Sequence, residues 1–124
     1  MYNILLLPNH VQYRCISPSN HFSTTDTEVI IHLTAMSKAK RPIDRITDAL
    51  RQIEGAYSLV AMTSDSLIGV RDPNGVRPLV LGKIDDSFVL ASETCAFDII
   101  GADYVRAIKP GELVVINKTG LQSY

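Results

Sequence analysis

Residues 66–83 read SLIGVRDPNGVRPLVLGK, in which two short apolar runs flank a polar turn. The tetrapeptide Asp72-Pro73-Asn74-Gly75 supplies the turn, because proline presets φ at the first central position and glycine accepts a positive φ. Arg71 and Arg77 bracket it. We predict a β-hairpin or a β-arch with a rigid tip, and the simplest interpretation of the motif is a structural turn.

Composition limits the class of protein. The chain has 124 residues, 46% of them hydrophobic, and a net charge of −1. This length suits one small domain or a piece of a larger one. The near-zero charge gives no electrostatic reason to bind nucleic acid or an anionic membrane. No apolar run approaches the roughly 18 residues of a membrane span. Two cysteines without a disulfide pattern indicate free thiols, so we expect a cytoplasmic protein.

Cysteines and histidines give no metal site. Cys15 and Cys95 have no spacing that indicates a disulfide framework or a metal centre. The three histidines are scattered along the chain and do not converge on a ligand set. We therefore predict no metal ligand and no cofactor bound by this chain.

Two helices are predicted before Gly55. Ahead of them, Ile4–Leu7 could form only a short buried strand. The first helix starts at a capping box, with Thr25 as the N-cap and Glu28 at the third helical position. Pro42 suits the first turn of the second helix, and Gly55 suits its end. The predicted apolar faces contain Val29, Ile30, Leu33 and Met36 in the first helix and Ile43, Ile46, Leu50 and Ile53 in the second.

The chain after Gly55 is predicted to be mostly strand. A short helix over Glu93–Ile100 interrupts the strands, with Gly101 as its cap and an apolar face that includes Cys95 and Ile99. The element order is therefore α-α-β-β-β-β-α-β-β, with antiparallel pairing through short turns as the simplest topology. The predicted strands are Ala56–Met62, Leu67–Arg71, Leu79–Lys83, Ser87–Ala91, Tyr104–Ile108 and Glu112–Ile116.

Asp26 has two interpretations. In the first turn of a helix its carboxylate stabilises the positive end of the helix dipole, which is the structural interpretation. The functional interpretation is a carboxylate that binds the ammonium group of a ligand.

Five motifs in this order resemble the glutaminase domain of the amidophosphoribosyltransferase family, which acts in purine synthesis. The resemblance extends over about Ser23 to Gly120. We therefore divide the chain into a leader outside the resemblance (1–22), a partial glutamine amidotransferase domain (23–120) and a tail (121–124). The motifs are TTDTE (24–28), GAYSL (55–59), RDPNGVRPL (71–79), LASET (90–94) and KPGE (109–112).

The resemblance implies a fold and a chemistry. The fold is α+β, an N-terminal-nucleophile hydrolase-like α/β/β/α sandwich with antiparallel sheets, present here as a partial domain. In the family an N-terminal cysteine attacks the side-chain amide of glutamine, with its own α-amino group as the base. An asparagine and a glycine form the oxyanion hole. The ammonia passes to a phosphoribosyltransferase domain, which uses Mg²⁺ and makes phosphoribosylamine; some members also carry an iron–sulfur cluster.

Of the family's substrate-binding groups, the resemblance transfers only Asp26, which matches the carboxylate for the α-ammonium group of glutamine. No catalytic residue transfers, because the chain begins Met1-Tyr2 and Cys15 is followed by Ile16 instead of glycine. The segments for the carboxylate-binding arginine and the oxyanion hole are absent, and so is the transferase domain. Arg71 and Arg77 belong to the turn motif and are assigned a structural role.

The expected function is therefore that of a fragment of an amidophosphoribosyltransferase, inactive alone and binding glutamine weakly or not at all. Whether this chain is itself an enzyme stays open at this point. One alternative is a non-catalytic binding module on the same sandwich. Another is a glutaminase of the asparagine synthetase or glucosamine-phosphate synthase type. Unpaired strand edges would favour self-association, or pairing of Met1–Leu7 as a substitute strand.

Overall fold

The structure is a computed structural model that describes the backbone of residues 4–6 and 25–124 and the side chains from residue 29 onward. It forms two compact units, one containing α1 and α2 and the other containing β1 and the chain from Ala56 to Tyr124. The predicted element order is confirmed, with an additional strand at each end. The elements are β1 (Ile4–Leu6), α1 (Thr25–Met36), α2 (Pro42–Leu50), β2 (Ser58–Met62), β3 (Ser66–Arg71), β4 (Val80–Ile84), β5 (Ser87–Ala91), α3 (Cys95–Ile100), β6 (Asp103–Ala107), β7 (Leu113–Asn117) and β8 (Gly120–Ser123).

The first sheet has five strands in the order β1-β2-β3-β7-β8. β1 pairs with β2 in parallel, with Ile4 opposite Val60. All other neighbours in this sheet are antiparallel. Residues Ile4–Leu6 of the segment Met1–Leu7 therefore do pair with the sheet. Residues 120–123 pair with β7 as β8, so a strand runs from Gly120 into the segment 121–124 that we expected to be a tail.

The second sheet has three antiparallel strands in the order β5-β4-β6. The register between β4 and β6 shifts between Leu81 and Gly82, which leaves Val105 as an extra residue in β6. A bulge of this kind bends an edge strand and disturbs its outer hydrogen-bonding groups. The β5 edge has no such irregularity.

The turn of residues 72–79 is a β-arch and not a hairpin. β3 belongs to the first sheet and β4 to the second, so the two apolar runs do not pair with each other. Instead β3 pairs with β2 and β7, and β4 pairs with β5 and β6. The arch therefore carries the chain from one sheet to the other.

A hydrophobic core lies between the two sheets. It contains side chains from β4 and β5 on one side and from β2, β7 and β8 on the other, so the sheets pack face to face through these residues. Of its buried members, Leu81 and Val114 lie in strands, Leu79 is the last residue of the arch, and Ile108 directly follows β6. The core residues are Leu79, Leu81, Ile108 and Val114, with Val60, Phe88, Leu90, Ile116 and Leu121 packed against them.

Helix α3 packs on the other face of the second sheet. Phe97 is 2% exposed and contacts Val80 and Ala91. A Cβ at Gly82 would lie 2.8 Å from the Phe97 ring, so the ring requires glycine beneath it. The predicted face of α3 is wrong, because Cys95 is exposed and Ile99 is 85% exposed. A helix of six residues has too few turns for periodicity to identify its buried side. The predicted cap is confirmed, with Gly101 at φ 70°.

The helical unit differs from prediction at its ends and faces. α1 begins at Thr25, so Thr25 is the first helical residue and not the cap. Met36 is 77% exposed, whereas Thr34 is buried and donates its hydroxyl to the Ile30 carbonyl at 2.7 Å. That internal hydrogen bond lets a polar residue occupy the buried face.

Helix α2 ends at Leu50, earlier than predicted. Gln52 N and Ile53 N donate three residues back, to Ala49 O and Leu50 O, which tightens the last turn and leaves Ile53 outside the helix. Ser37 Oγ donates to Asp48 Oδ2 at 2.8 Å and joins the end of α1 to α2. None of the helices in the described part of the chain is long and apolar enough to cross a membrane.

Candidate functional site

Asp26 is the one residue to which the sequence assigned substrate binding. It lies at the second position of α1, in the first helical turn. Its side chain lies outside the described residues, so its role as an ammonium ligand stays a prediction. Cys15 also lies outside the described residues.

Cys95 is not placed to act as a nucleophile. Its thiol is exposed and lies 3.3 Å from Glu93 Oε2. This hydrogen bond to a carboxylate raises the pKa of Cys95, and the negative charge of Glu93 adds to the effect. A reactive cysteine needs a lowered pKa, so the local electrostatics oppose thiolate formation.

Asp72 organises the arch. Its side chain is fully buried, and its carboxylate accepts hydrogen bonds from Asn74 N and Val76 N through Oδ1 and from Arg77 N through Oδ2, at 3.0–3.1 Å. Burial raises the pKa of Asp72, but these three N–H donors together with the Arg71 charge outweigh it and lower the pKa overall. The backbone of Asp72 closes the turn by accepting from Gly75 N at 3.0 Å.

Arg71 completes the arch by binding three carbonyl groups. Its Nε donates to Arg77 O, Nη1 to Ile108 O and Nη2 to Gly75 O, at 2.7–2.8 Å. A planar guanidinium presents donors in a fixed fork, which suits three acceptors held at different angles. The assigned structural role of Arg71 therefore agrees with its contacts.

A second buried carboxylate fixes the neighbouring loop, residues 108–112, which we call the latch loop. Glu112 accepts both η-nitrogens of Arg106 at 2.7 and 2.8 Å and Lys109 N at 2.7 Å. Ser123 Oγ also donates to it, from β8. The Arg106 hydrogen bonds are the largest effect and lower the pKa of Glu112 to about 2, against the opposing effect of burial. The same contact raises the pKa of Arg106.

The arch and the latch loop are joined by backbone hydrogen bonds. Gly111 N donates to Asp72 O at 3.0 Å, and Arg71 N donates to Glu112 O at 3.1 Å. The two buried carboxylates therefore stabilise one continuous structure in which their charges are already satisfied. The half-buried Tyr57 lies beside it, where burial and the Asp72 charge raise its pKa.

These contacts define what the arch can do chemically. Asp72, Glu112, Arg71 and Arg106 are saturated by protein donors and acceptors, so none is available as a general acid, base or ligand. Arg77 is exposed, and its guanidinium contacts no partner among the residues from 29 onward. No group of three or more potential metal ligands occurs among the described residues.

Sequence reasoning had missed both buried carboxylates. A signal for Asp72 was present, because aspartate at the first position of a turn commonly accepts from nearby backbone N–H groups. The Arg106–Glu112 pair has no helical or strand spacing that would indicate it. It forms because Arg106 lies near the end of β6 and Glu112 directly precedes β7, so that the loop between these strands brings the two side chains together.

Comparison with known proteins gives the family. Residues 7–98 match the family model described as a glutamine amidotransferase domain. This match begins inside the segment 1–22 that the motifs had left out of the resemblance, and the boundary at residue 22 stays a prediction. The matched range includes four of the five motifs and ends before KPGE (109–112).

Curated relatives and a solved structure agree with the family model. The chain is 49% identical over 123 residues to the chloroplastic amidophosphoribosyltransferase of Glycine max, covering 93% of this chain and 22% of that protein. It is 52% identical over 93 residues to the amidophosphoribosyltransferase of Rhizobium etli, covering 75% of this chain and 19% of that protein. The chain thus spans about a fifth of these relatives.

The solved structure is glutamine phosphoribosylpyrophosphate amidotransferase from B. subtilis, complexed with ADP and GMP. It superposes with a TM-score of 0.79 at 44% identity, covering 82% of this chain and 22% of that one. The predicted N-terminal-nucleophile fold class is therefore confirmed. These names favour the purine-synthesis enzymes over the asparagine synthetase and glucosamine-phosphate synthase types as what the chain resembles. The chain belongs to the glutamine amidotransferase domain family.

Proposed function

We propose that this chain forms part of the glutamine-hydrolysing half of an amidophosphoribosyltransferase, and that Asp26 binds the α-ammonium group of glutamine. The observation that carries the proposal is the family match together with the position of Asp26 in the first turn of α1. In the complete enzyme, ammonia released from glutamine would be transferred to phosphoribosylpyrophosphate.

The chemistry of Asp26 suits this role. The first turn of a helix favours the ionised carboxylate, because the helix dipole is positive there. An ionised carboxylate in turn forms a charge-assisted hydrogen bond with an ammonium group. Asp26 would therefore fix the amino-acid end of glutamine and leave the side-chain amide to a nucleophile on another segment.

The arch and latch loop would act as a scaffold in this function. The charges of Asp72, Arg71 and Glu112 are satisfied internally, and the arch connects the two sheets of the sandwich. The cytoplasmic location and the absence of binding to nucleic acid or membranes stay predictions from composition.

The purified 124-residue chain is expected to release no ammonia from glutamine above a blank that contains glutamine but no protein. Neither cysteine of the 124 residues is followed by glycine, and the resemblance places no oxyanion-hole residues on them, although one oxyanion donor alone is worth about 3 kcal/mol of the barrier. Ligand-observed NMR should detect only weak glutamine binding, and Asp26→Asn should remove it. An analogue of glutamine without the α-amino group should not bind.

Asp44→Asn is the matched control, since Asp44 also occupies the first turn of a helix. This variant should bind glutamine as well as the unmodified chain. Steady ammonia release by the chain would refute its predicted inactivity. Equal binding of glutamine by Asp26→Asn would refute the role of Asp26.

We further propose that self-association takes place at the β5 edge. Among the described strands, β5 has a neighbour only on its β4 side, and its residues Ser87–Ala91 include no charge, proline or bulge. β6 is protected by its bulge and by Asp103, β8 is a shorter and more polar strand, and β1 has only three residues. Two copies of β5 paired antiparallel about Val89 would place Phe88 opposite Leu90 of the second copy, a favourable cross-strand pair.

Sedimentation equilibrium should show a weak dimer with a Kd on the order of 10⁻⁴ M, because one strand pair buries less area than a standard interface. Val89→Lys should abolish the dimer. The matched variant Val105→Lys, on the bulged β6 edge, should leave it unchanged. Loss of the dimer in Val105→Lys alone would contradict the assignment, as would a monomer at every concentration.

A further inference from the structure

The dipeptide Asn74-Gly75 lies at the tip of the arch. Its chemical reactivity plays no part in the scaffold role of the arch. Asn74 is exposed, and its side-chain amide has no hydrogen-bond partner in the part of the chain that the structure describes. An asparagine before glycine is open to attack by the following backbone nitrogen, because glycine has no side chain that obstructs the approach.

The reaction is a deamidation. Once a solvent base has removed its proton, the Gly75 nitrogen forms a bond to Cγ of Asn74 and closes a succinimide ring. The bond from Cγ to the side-chain nitrogen breaks, and ammonia leaves with a proton from water. Water then adds to either ring carbonyl, which opens the ring to aspartate or to isoaspartate.

The folded arch opposes the first step. Gly75 N donates to Asp72 O at 3.0 Å, and Gly75 O accepts from Arg71 Nη2 at 2.8 Å. On the other side of the reacting centre, Asn74 N donates to Asp72 Oδ1 at 3.1 Å. The nitrogen therefore has to leave the Asp72 carbonyl, and the turn has to open, before attack on the side chain becomes feasible.

We propose that Asn74 is a deamidation site that Asp72 and Arg71 keep unreactive while the arch is closed. Local opening of the arch releases the reaction. The isoaspartate product inserts an extra backbone carbon between residues 74 and 75, within the set of N–H groups that Asp72 holds at Asn74, Val76 and Arg77. That longer backbone cannot satisfy all three bonds, so the modified arch does not close again.

The test measures the rate of deamidation in the full 124-residue chain at neutral pH, by peptide mapping for the mass change and by detection of isoaspartate. The rate in the native chain should be at least about tenfold below that of the same chain in urea, because reaction requires local opening. Asn74→Gln should remove the signal from this peptide in both conditions.

Two arginine variants distinguish opening of the arch from a loss of stability of the whole chain. Arg71→Lys loses the fork that holds Gly75 O and should deamidate several-fold faster than the unmodified chain while circular dichroism shows it folded. Arg77→Lys is the matched control and should react at the unmodified rate. Equal rates in the native and urea-treated chain would overturn the proposal, and so would an unchanged rate in folded Arg71→Lys.

Discussion

Asp72→Ala should destabilise the chain by about 3–5 kcal/mol, the largest loss expected from a single substitution in the arch. The alanine removes the acceptor for three partly buried backbone N–H groups, and a donor left without a partner costs about 1–3 kcal/mol, with the smaller value where water can reach it. Such a loss is comparable with the whole stability of a small domain. Urea denaturation followed by circular dichroism should therefore show a much lower midpoint or no folded baseline.

Arg77→Ala is the control for the Asp72 experiment. The Arg77 side chain is exposed and unpaired among residues 29–124, although its backbone N–H is one of the three donors to Asp72. Truncating it should change the stability by less than about 0.5 kcal/mol. A stability loss as large for Arg77→Ala as for Asp72→Ala would mean that the arch depends on its surface charge and not on the buried carboxylate.

Glu112 should make the stability of the chain depend on pH below about 4.5. Its pKa falls from the ordinary 4.5 to about 2 in the folded chain. The folded state therefore binds the proton less readily than the unfolded state, and the contribution is fully present above pH 4.5 and lost as the pH falls towards 2. The shift corresponds to about 3 kcal/mol, or nearer 2 kcal/mol because Arg106 is partly exposed.

The measurement is the free energy of unfolding of the unmodified chain and of Glu112→Gln between pH 7 and pH 2. The two values should differ most at neutral pH and converge at the acid end, because the protonated carboxyl group and the amide are then equivalent in charge. The pKa of Asp72 is also lowered, so Asp72 likewise makes the chain less stable at low pH. Because both proteins contain Asp72, the difference between their free energies of unfolding reports the contribution of Glu112. Glu54→Gln, at an exposed glutamate, is the control and should follow the unmodified chain. A difference between the unmodified chain and Glu112→Gln that does not depend on pH would show that the glutamate acts through packing alone.

The sequence predicted local structure well where backbone chemistry decides it. Pro42 does begin α2, Gly101 does cap α3, and Ser87–Ala91 is a strand with the predicted bounds. The family was also predictable, because five motifs in order depend on residue identity and not on packing. Periodicity failed where a helix is short, as in α3, and where a threonine satisfies its own hydroxyl, as at Thr34.

The sequence by itself determined the order of the elements, the turn at residues 72–75 and membership of the glutamine amidotransferase family. Only the tertiary structure decided that this turn joins two sheets as an arch, and that Asp72 and Glu112 are buried. The physical reason is that a buried carboxylate is stable only where several donors converge on it. At Glu112 the donors from Arg106 and Lys109 are near in sequence, but Ser123 belongs to β8 and reaches the carboxylate only because β8 pairs with β7.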